Sequence, residues 1–371
     1  MWLPFLSILL PLPGVPPSLT ASFGEYREFR VHRGVDFSTL RETGWIVVAI
    51  ESGWVVQLQK SKTGYGNSIQ ILHPGGWKSF YAHLESFNEF LEYYWKISTG
   101  KKYGTVFIPP FLIPVRKGDV IGKSGESGLG LPHLHLEISW GWRFPLNPLL
   151  LLPKEEIPEN PVTVQIESLT FVPLEEHSTV NASSYPRVFI PGKDKGGYFV
   201  KEAINLKGKV GVELEGFELW KGSRRAFSRI QLVHLGAEKS EICFEQNVQV
   251  SLPRNPSFYQ EMYQPVFTHL SPTTFTYRLY DFKKIGSEQE NICAGGILNH
   301  PGNQKFRIIV WDWRGKEHRV EFFTKNPDGN TGEFVRHRTI PILEGGELKF
   351  WAYPENPVAQ IILKPGRNGR W

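Results

Sequence analysis

The sequence predicts a mainly β protein built from two domains. Its 371 residues amount to about two domains' worth of chain. The 12 Trp, 13 Tyr and 25 Phe are interspersed with 36 Gly and 28 Pro, the mix of half-buried strands joined by tight turns. Apolar and polar residues alternate with a period of two in many short runs. An apolar fraction of 40% with 21% charged residues marks an ordered chain and excludes a disordered or collagen-like one.

The elements follow in order. Residues 1–12, MWLPFLSILLPL, are strongly apolar but too short to span a bilayer, which takes about 20 residues. Small residues follow (Ser18, Ala21, Ser22), as after a secretory signal. No Lys or Arg precedes the run, and Pro4, Pro11 and Pro13 interrupt it, so a lead-in strand of the first domain is the other reading of 1–17. No later segment reaches transmembrane length. A first domain over 18–152 begins with short strands. Trp45–Ile50 and Trp54–Leu58, around Gly53, read as a hairpin. Phe87, Phe90, Leu91, Tyr94 and Trp95 have helical spacing, and that helix should end near Gly100. It belongs to an insertion, 86–113, that either packs on the sheet, the preferred reading, or walls a groove. LLPKEEIPENP is proline-broken and acidic, which sets a linker at 153–161.

Beyond the linker, Val164/Ile166, Val210/Val212/Leu214 and Phe306/Ile308/Val310 alternate with polar residues. So many strands over 162–328 suggest an immunoglobulin-like β-sandwich. Residues 329–371 form a β-rich extension with strand-like pieces around 348–353 and 359–363. The net charge of +5 suits an anionic wall or membrane surface, and the absence of a Lys/Arg block argues against a nucleic-acid partner. Two cysteines, Cys243 and Cys293, exclude a disulfide scaffold and a cysteine-built zinc site. One bridge and two separate buried thiols both remain open.

Three segments of the first domain point to metal chemistry. In His32-Arg33-Gly34-Val35-Asp36, a His and an Asp four residues apart converge when the chain turns tightly. Tyr81-Ala82-His83-Leu84 supplies another histidine from a strand. In Pro132-His133-Leu134-His135-Leu136-Glu137 the strand period puts both histidines on one face and both leucines on the core face. Two adjacent imidazoles conflict if both are buried and charged; a divalent metal removes the conflict by taking a neutral ring as ligand. A lone strand histidine is more often structural, so the weight lies on the three segments together.

In this order the segments resemble the lysostaphin/LytM-type zinc metalloendopeptidases, which cleave peptide cross-links of bacterial peptidoglycan. The resemblance runs from SLTASFG through HRGVDF, YAHL and VRKGDVIGKSGESG to PHLHLEI and PLNPL, about residues 18–150. It implies a lysostaphin-like antiparallel sheet, the duplicated hybrid motif, with a groove over one Zn2+ ion. His32, Asp36 and His135 are the implied zinc ligands, and His133 and His83 the implied catalytic pair. Such a ligand set leaves a fourth position for water. The implied partners are peptidoglycan stem peptides or cross-bridges. The implied location is outside the cytoplasm, in the periplasm or cell envelope of a bacterium. The second domain would bind the wall or an envelope protein, or position and shield the first. Two rivals are a catalytically silent LytM-like regulator that activates another hydrolase, and a zinc-stabilised wall-binding module. The presence of all five positions speaks against the first, and that of His133 and His83 against the second.

Other features have plainer readings. Glu137 shares the face of the two histidines; a structural hydrogen bond is preferred over a role in orienting them. His73, in a His-Pro-Gly-Gly turn, is expected to be solvated. Gly125, Gly128 and Gly130 lack the order of a phosphate loop and should shape the rim of a groove. Asn181-Ala182-Ser183 matches a glycosylation site, of little weight in a bacterial protein.

Overall fold

A computed structural model describes residues 8–27, 30–141, 144–152, 162–220, 222–253, 258–264, 275–286 and 291–326, and the backbone of three strands within 339–363. Residues 8–17 of the lead-in segment are part of the first domain. Ile8 and Leu12 lie in its core, the Ile8 N–H donates to Leu151 O (3.1 Å) and the Val48 N–H to Pro11 O (3.0 Å). Strand β1 (Leu19–Ala21) precedes a small hairpin, β2 (Tyr26–Arg27) with β3 (Arg30–Val31), and then β4 (Val35–Ser38). Next come β5 (Ile46–Val48), β6 (Gly53–Lys60), β7 (Asn67–Leu72), β8 (Trp77–Phe87) and the helix α1 (Glu89–Thr99). The domain closes with β9 (Gly104–Phe107), β10 (Pro114–Val115), β11 (Val120–Ser124), β12 (His133–Trp140) and β13 (Phe144–Leu146).

The main sheet has the order β1-β4-β12-β8-β7-β6-β10 and is antiparallel throughout. One face of its central strands is apolar by alternation: Val35 and Phe37 of β4 and Leu134, Leu136 and Ile138 of β12 are buried, as the strand period predicts. The opposite side chains, Asp36, His133 and His135, are left to converge.

Two local expectations are corrected. The stretch 45–58 is not a hairpin: β5 pairs with β11, and β6 with β7, β9 and β10. A Cβ on Gly53 would lie 2.3 Å from Leu72 O, so this glycine seats β6 against β7 instead of turning it back on β5. The helix is present, N-capped by the Asn88 side chain on the Leu91 N–H and ended by Gly100 at φ 58°. Its buried stripe is narrower than predicted, however. Leu91 and Trp95 are buried near Phe87, whereas Phe90 is 59% exposed.

The second domain has two sheets with a shared core. One is built on Thr163–Pro173 and Val210–Trp220, with Arg187–Phe189, Ser223–Arg225 and Phe275–Arg278. The other has at its centre Glu317–Asn326, Gly302–Trp311, Arg229–Leu235 and Ser240–Asn247. Phe171 of the first meets Phe322 of the second edge-on at 5.2 Å, and Val212, Leu214, Ile308 and Val310 are fully buried. Cys243 and Cys293 form a disulfide. The linker reading at 153–161 lies outside the described residues. In the extension, Thr339–Glu344, Glu347–Ala352 and Ile362–Leu363 form a three-stranded antiparallel sheet.

The two domains share one core. Tyr26 of β2 packs against Tyr259 and Tyr263 (ring centroids 5.8 and 5.9 Å), and the Tyr263 hydroxyl donates to Gly24 O (2.9 Å). Further on, the Asn147 N–H donates to Val250 O (2.9 Å) and its side chain to Gln249 O (3.0 Å). No helix among the described residues is long and apolar enough to cross a membrane.

Candidate metal centre

Register brings the donors together. On β12, His135 lies opposite Asp36 of β4 on one side and Ala82 of β8 on the other. Gly34 makes the approach possible, since a Cβ there would sit 2.3 Å from Leu136 O. His32 Nε2 is 3.0 Å from His135 Nδ1 and 3.1 Å from Asp36 Oδ1, and His135 Nδ1 is 2.7 Å from Asp36 Oδ1. Among the described residues these three are the one such group of His, Cys, Asp or Glu donors within reach of a common ion.

The outer hydrogen bonds fix the protons. His32 Nδ1 faces Ser22 O (2.8 Å), a pure acceptor, so this nitrogen donates and Nε2 keeps a lone pair. His135 Nε2 faces Glu137 Oε1 (3.0 Å), and the Tyr65 hydroxyl donates to the same oxygen at 2.6 Å. Burial pushes the Glu137 carboxyl up, but His135 and Tyr65 outweigh it and hold it at about 2. Glu137 is therefore a carboxylate that accepts a hydrogen bond from His135 Nε2–H, which turns Nδ1 toward the centre. Glu137 makes the hydrogen bond expected of it, and because its partner is His135 that bond also fixes the ring's orientation. His32 Nε2, His135 Nδ1 and Asp36 Oδ1 converge within 3.1 Å of one another, held together without an ion by a proton on His135 Nδ1, and a cation can take that proton's place. The field has the matching sign. Burial would lower His135, yet Asp36 and Glu137 raise it to about 9, so the pocket favours positive charge. The donor set fits a divalent metal of the zinc type.

His83 and His133 stand beside this group, their rings 4.4 Å apart, and His133 Nε2 is 3.8 Å from Asp36 Oδ1. Each is oriented through Nδ1, His133 by Leu131 O (2.6 Å) and His83 by Ser127 O (2.9 Å). His83 has φ 61°, a backbone conformation rarely adopted by a residue with a side chain, held by its N–H on Tyr65 O (3.0 Å). Burial and then the neighbouring His133 push its imidazole down to about 4, so it is neutral at ordinary pH.

The centre opens into a cavity of about 690 Å3. Gly130 lies on its lining, in keeping with the rim expected of the glycine-rich loop, and no residue of α1 does. The insertion packs on the sheet instead. Four contributing residues were not singled out from the sequence. Tyr65 holds Glu137, Arg27 donates to Asp36 Oδ2 (3.1 Å), and Leu252 and Pro253 line the cavity from the second domain. Tyr65 lies in a Gly-Tyr-Gly turn, the one hint the sequence offers. His73 is far from solvated. It is 1% exposed, stacked on Trp77 at 3.8 Å and hydrogen-bonded to Ser52 O and Ser79 Oγ, because the turn folds its imidazole under the sheet edge.

An antiparallel domain that gathers His-Asp-His donors beside two further histidines defines a metallopeptidase-type site. Residues 30–108 match the sequence pattern of peptidase family M23, and the chain carries a peptidase family M23 domain. Over 131 residues it is 30% identical to the DD-carboxypeptidase/endopeptidase Mpg of Neisseria meningitidis serogroup B, a match covering 35% of this chain and 25% of that protein. The same protein of Neisseria gonorrhoeae matches equally. The chain thus spans about a quarter of the length of these curated relatives. Among solved structures, a zinc-containing peptidase from Vibrio cholerae is 27% identical over 34% of this chain and 35% of that one, with a TM-score of 0.26. The catalytic domain of the prophage-encoded M23 protein EnpA from Enterococcus faecalis, solved as a mutant, is 24% identical over 35% and 86%, also with a TM-score of 0.26.

Proposed function

We propose that the protein is a zinc-dependent endopeptidase that hydrolyses peptide cross-links of bacterial peptidoglycan. The observation that carries this is the convergence of two imidazole nitrogens and a carboxylate oxygen with His83 and His133 alongside. His32 Nε2, Asp36 Oδ1 and His135 Nδ1 would hold the ion. A bound zinc would supply a water acidified to a pKa of about 7 and would polarise the scissile carbonyl. His133 keeps its Nδ1 proton on Leu131 O, so its Nε2 is free to take a proton from the attacking water and return it to the leaving amine. His83, neutral and donating through Nδ1 to Ser127 O, presents Nε2 as an acceptor, which suits it to orienting that water. Tyr65 and Glu137 keep His135 in the tautomer the ion needs, and Arg27 steadies the second oxygen of Asp36.

The Cys243–Cys293 bridge supports an exported location, in the periplasm or envelope, where disulfides persist. The second domain, which lends Leu252 and Pro253 to the cavity, serves this reading as a positioning module. The test is a digest of purified peptidoglycan by the full-length, zinc-loaded chain, read by mass spectrometry beside His133→Ala. The full length matters because residues 8–17 pack in the first domain. Loss of cross-linked dimers with the wild type alone is expected, and the fragment masses identify the bond. Intact dimers with both proteins, zinc being bound, would favour the regulator or the binder instead.

A further inference from the structure

We propose that the groove is built for acidic peptides, with Arg30 and Arg33 binding a free carboxylate of the substrate; this rests on the peptidase reading of the site. Three arginines, Arg27, Arg30 and Arg33, line the cavity, and Asp36 is the one acidic residue among its lining residues. Arg27 and Arg30 are direct partners across the β2–β3 hairpin, where like charges repel. The charge of Arg27 is met by Asp36 at 3.1 Å and Glu25 at 3.5 Å. Arg30 and Arg33 are exposed, and among the described residues neither guanidinium group has a hydrogen-bond or ion-pair partner.

Two guanidinium groups at the mouth of a site, beside a third that is already paired with carboxylates, hold charge that the described residues do not neutralise, which is the mark of a functional demand. The hairpin that carries it is fixed by the packing of Tyr26 on Tyr259 and Tyr263, so the second domain sets where the guanidinium groups stand. Leu252 and Pro253 add apolar lining to the same groove. A guanidinium fork matches a carboxylate in shape and charge, and a carboxylate is the anion that a peptide carries.

The test compares two synthetic cross-linked stem-peptide dimers, one with free carboxyls on its glutamate and diaminopimelate residues and one with those carboxyls amidated. The full-length zinc-loaded protein and an Arg30→Gln/Arg33→Gln variant are assayed on both, with zinc content measured to show the centre intact. The wild type should favour the free acid in kcat/KM by about tenfold. That ratio should fall toward one in the variant, and the wild-type preference should weaken as salt is added. A wild-type ratio near one, or a ratio unchanged in the variant, overturns the proposal. Should neither dimer be cleaved, calorimetric binding of the two dimers separates the questions. A binding preference that the variant loses supports the carboxylate site although the peptidase reading has failed, whereas equal binding or none overturns it.

Discussion

Tyr65 touches no proposed ligand by hydrogen bond, yet it acts on the centre through Glu137. Its hydroxyl is one of two donors to the oxygen that accepts the His135 proton. Tyr65→Phe should weaken zinc binding about tenfold while leaving the fold intact, measured by competition with a chromophoric chelator. His73 provides a second test, one of pH. Burial lowers its imidazole to about 4, with Ser52 O opposing that shift only in part. Between pH 6.5 and 4 the unfolded chain therefore binds the proton that the folded one resists, so stability falls on acidification through that window, by up to about 3 kcal/mol from this group. His73→Gln should flatten that part of the urea-midpoint profile against pH. At this scale the offsets His32–Asp36 and His133–His135 were legible, because turn and strand geometry give each pair a shared direction, whereas His83 entered only with the family resemblance. The sequence did not show Tyr65 or Arg27. Tyr65 reaches Glu137 across 72 residues, and Arg27 is one surface-type residue among many.

Among elements, the decisive contact is β4 against β12, and Gly34 governs it. Gly34→Ala would press a methyl group into the Leu136 carbonyl, so β4 must shift away from its partner. The expected cost is about 2–3 kcal/mol in urea unfolding, together with weaker zinc binding, since His32 and Asp36 both flank that residue. Strands were legible here because alternation marks them: Leu134 and Leu136, and likewise Phe306, Ile308 and Val310, face the core as their period requires. Their partners were less so. β5 pairs with β11, far along the chain, and periodicity carries no information about which of several apolar strands will be the neighbour. The helix was found for the same reason that its stripe was overdrawn: the spacing that places Phe90 beside Leu91 does not say how far the sheet extends beneath them.

The molecule as a whole behaves as one packed body, with Tyr26, Gly24 and Asn147 of the first domain locked to the second. A single cooperative transition is expected on heating. The Cys243–Cys293 bridge closes a loop of 50 residues, which restricts the unfolded chain by about 4 kcal/mol on the loop-entropy scale. Cys243→Ser/Cys293→Ser should lower Tm accordingly, and since the core is continuous the loss should appear in both domains, read by tryptophan fluorescence.

His32 and His135 lie 103 residues apart in the chain yet end within hydrogen-bonding distance. No short fragment emerging during synthesis holds both, and no partly threaded chain can capture the ion with its full set of donors. Uptake of an ion by these donors would therefore come late in folding, after the first domain has closed.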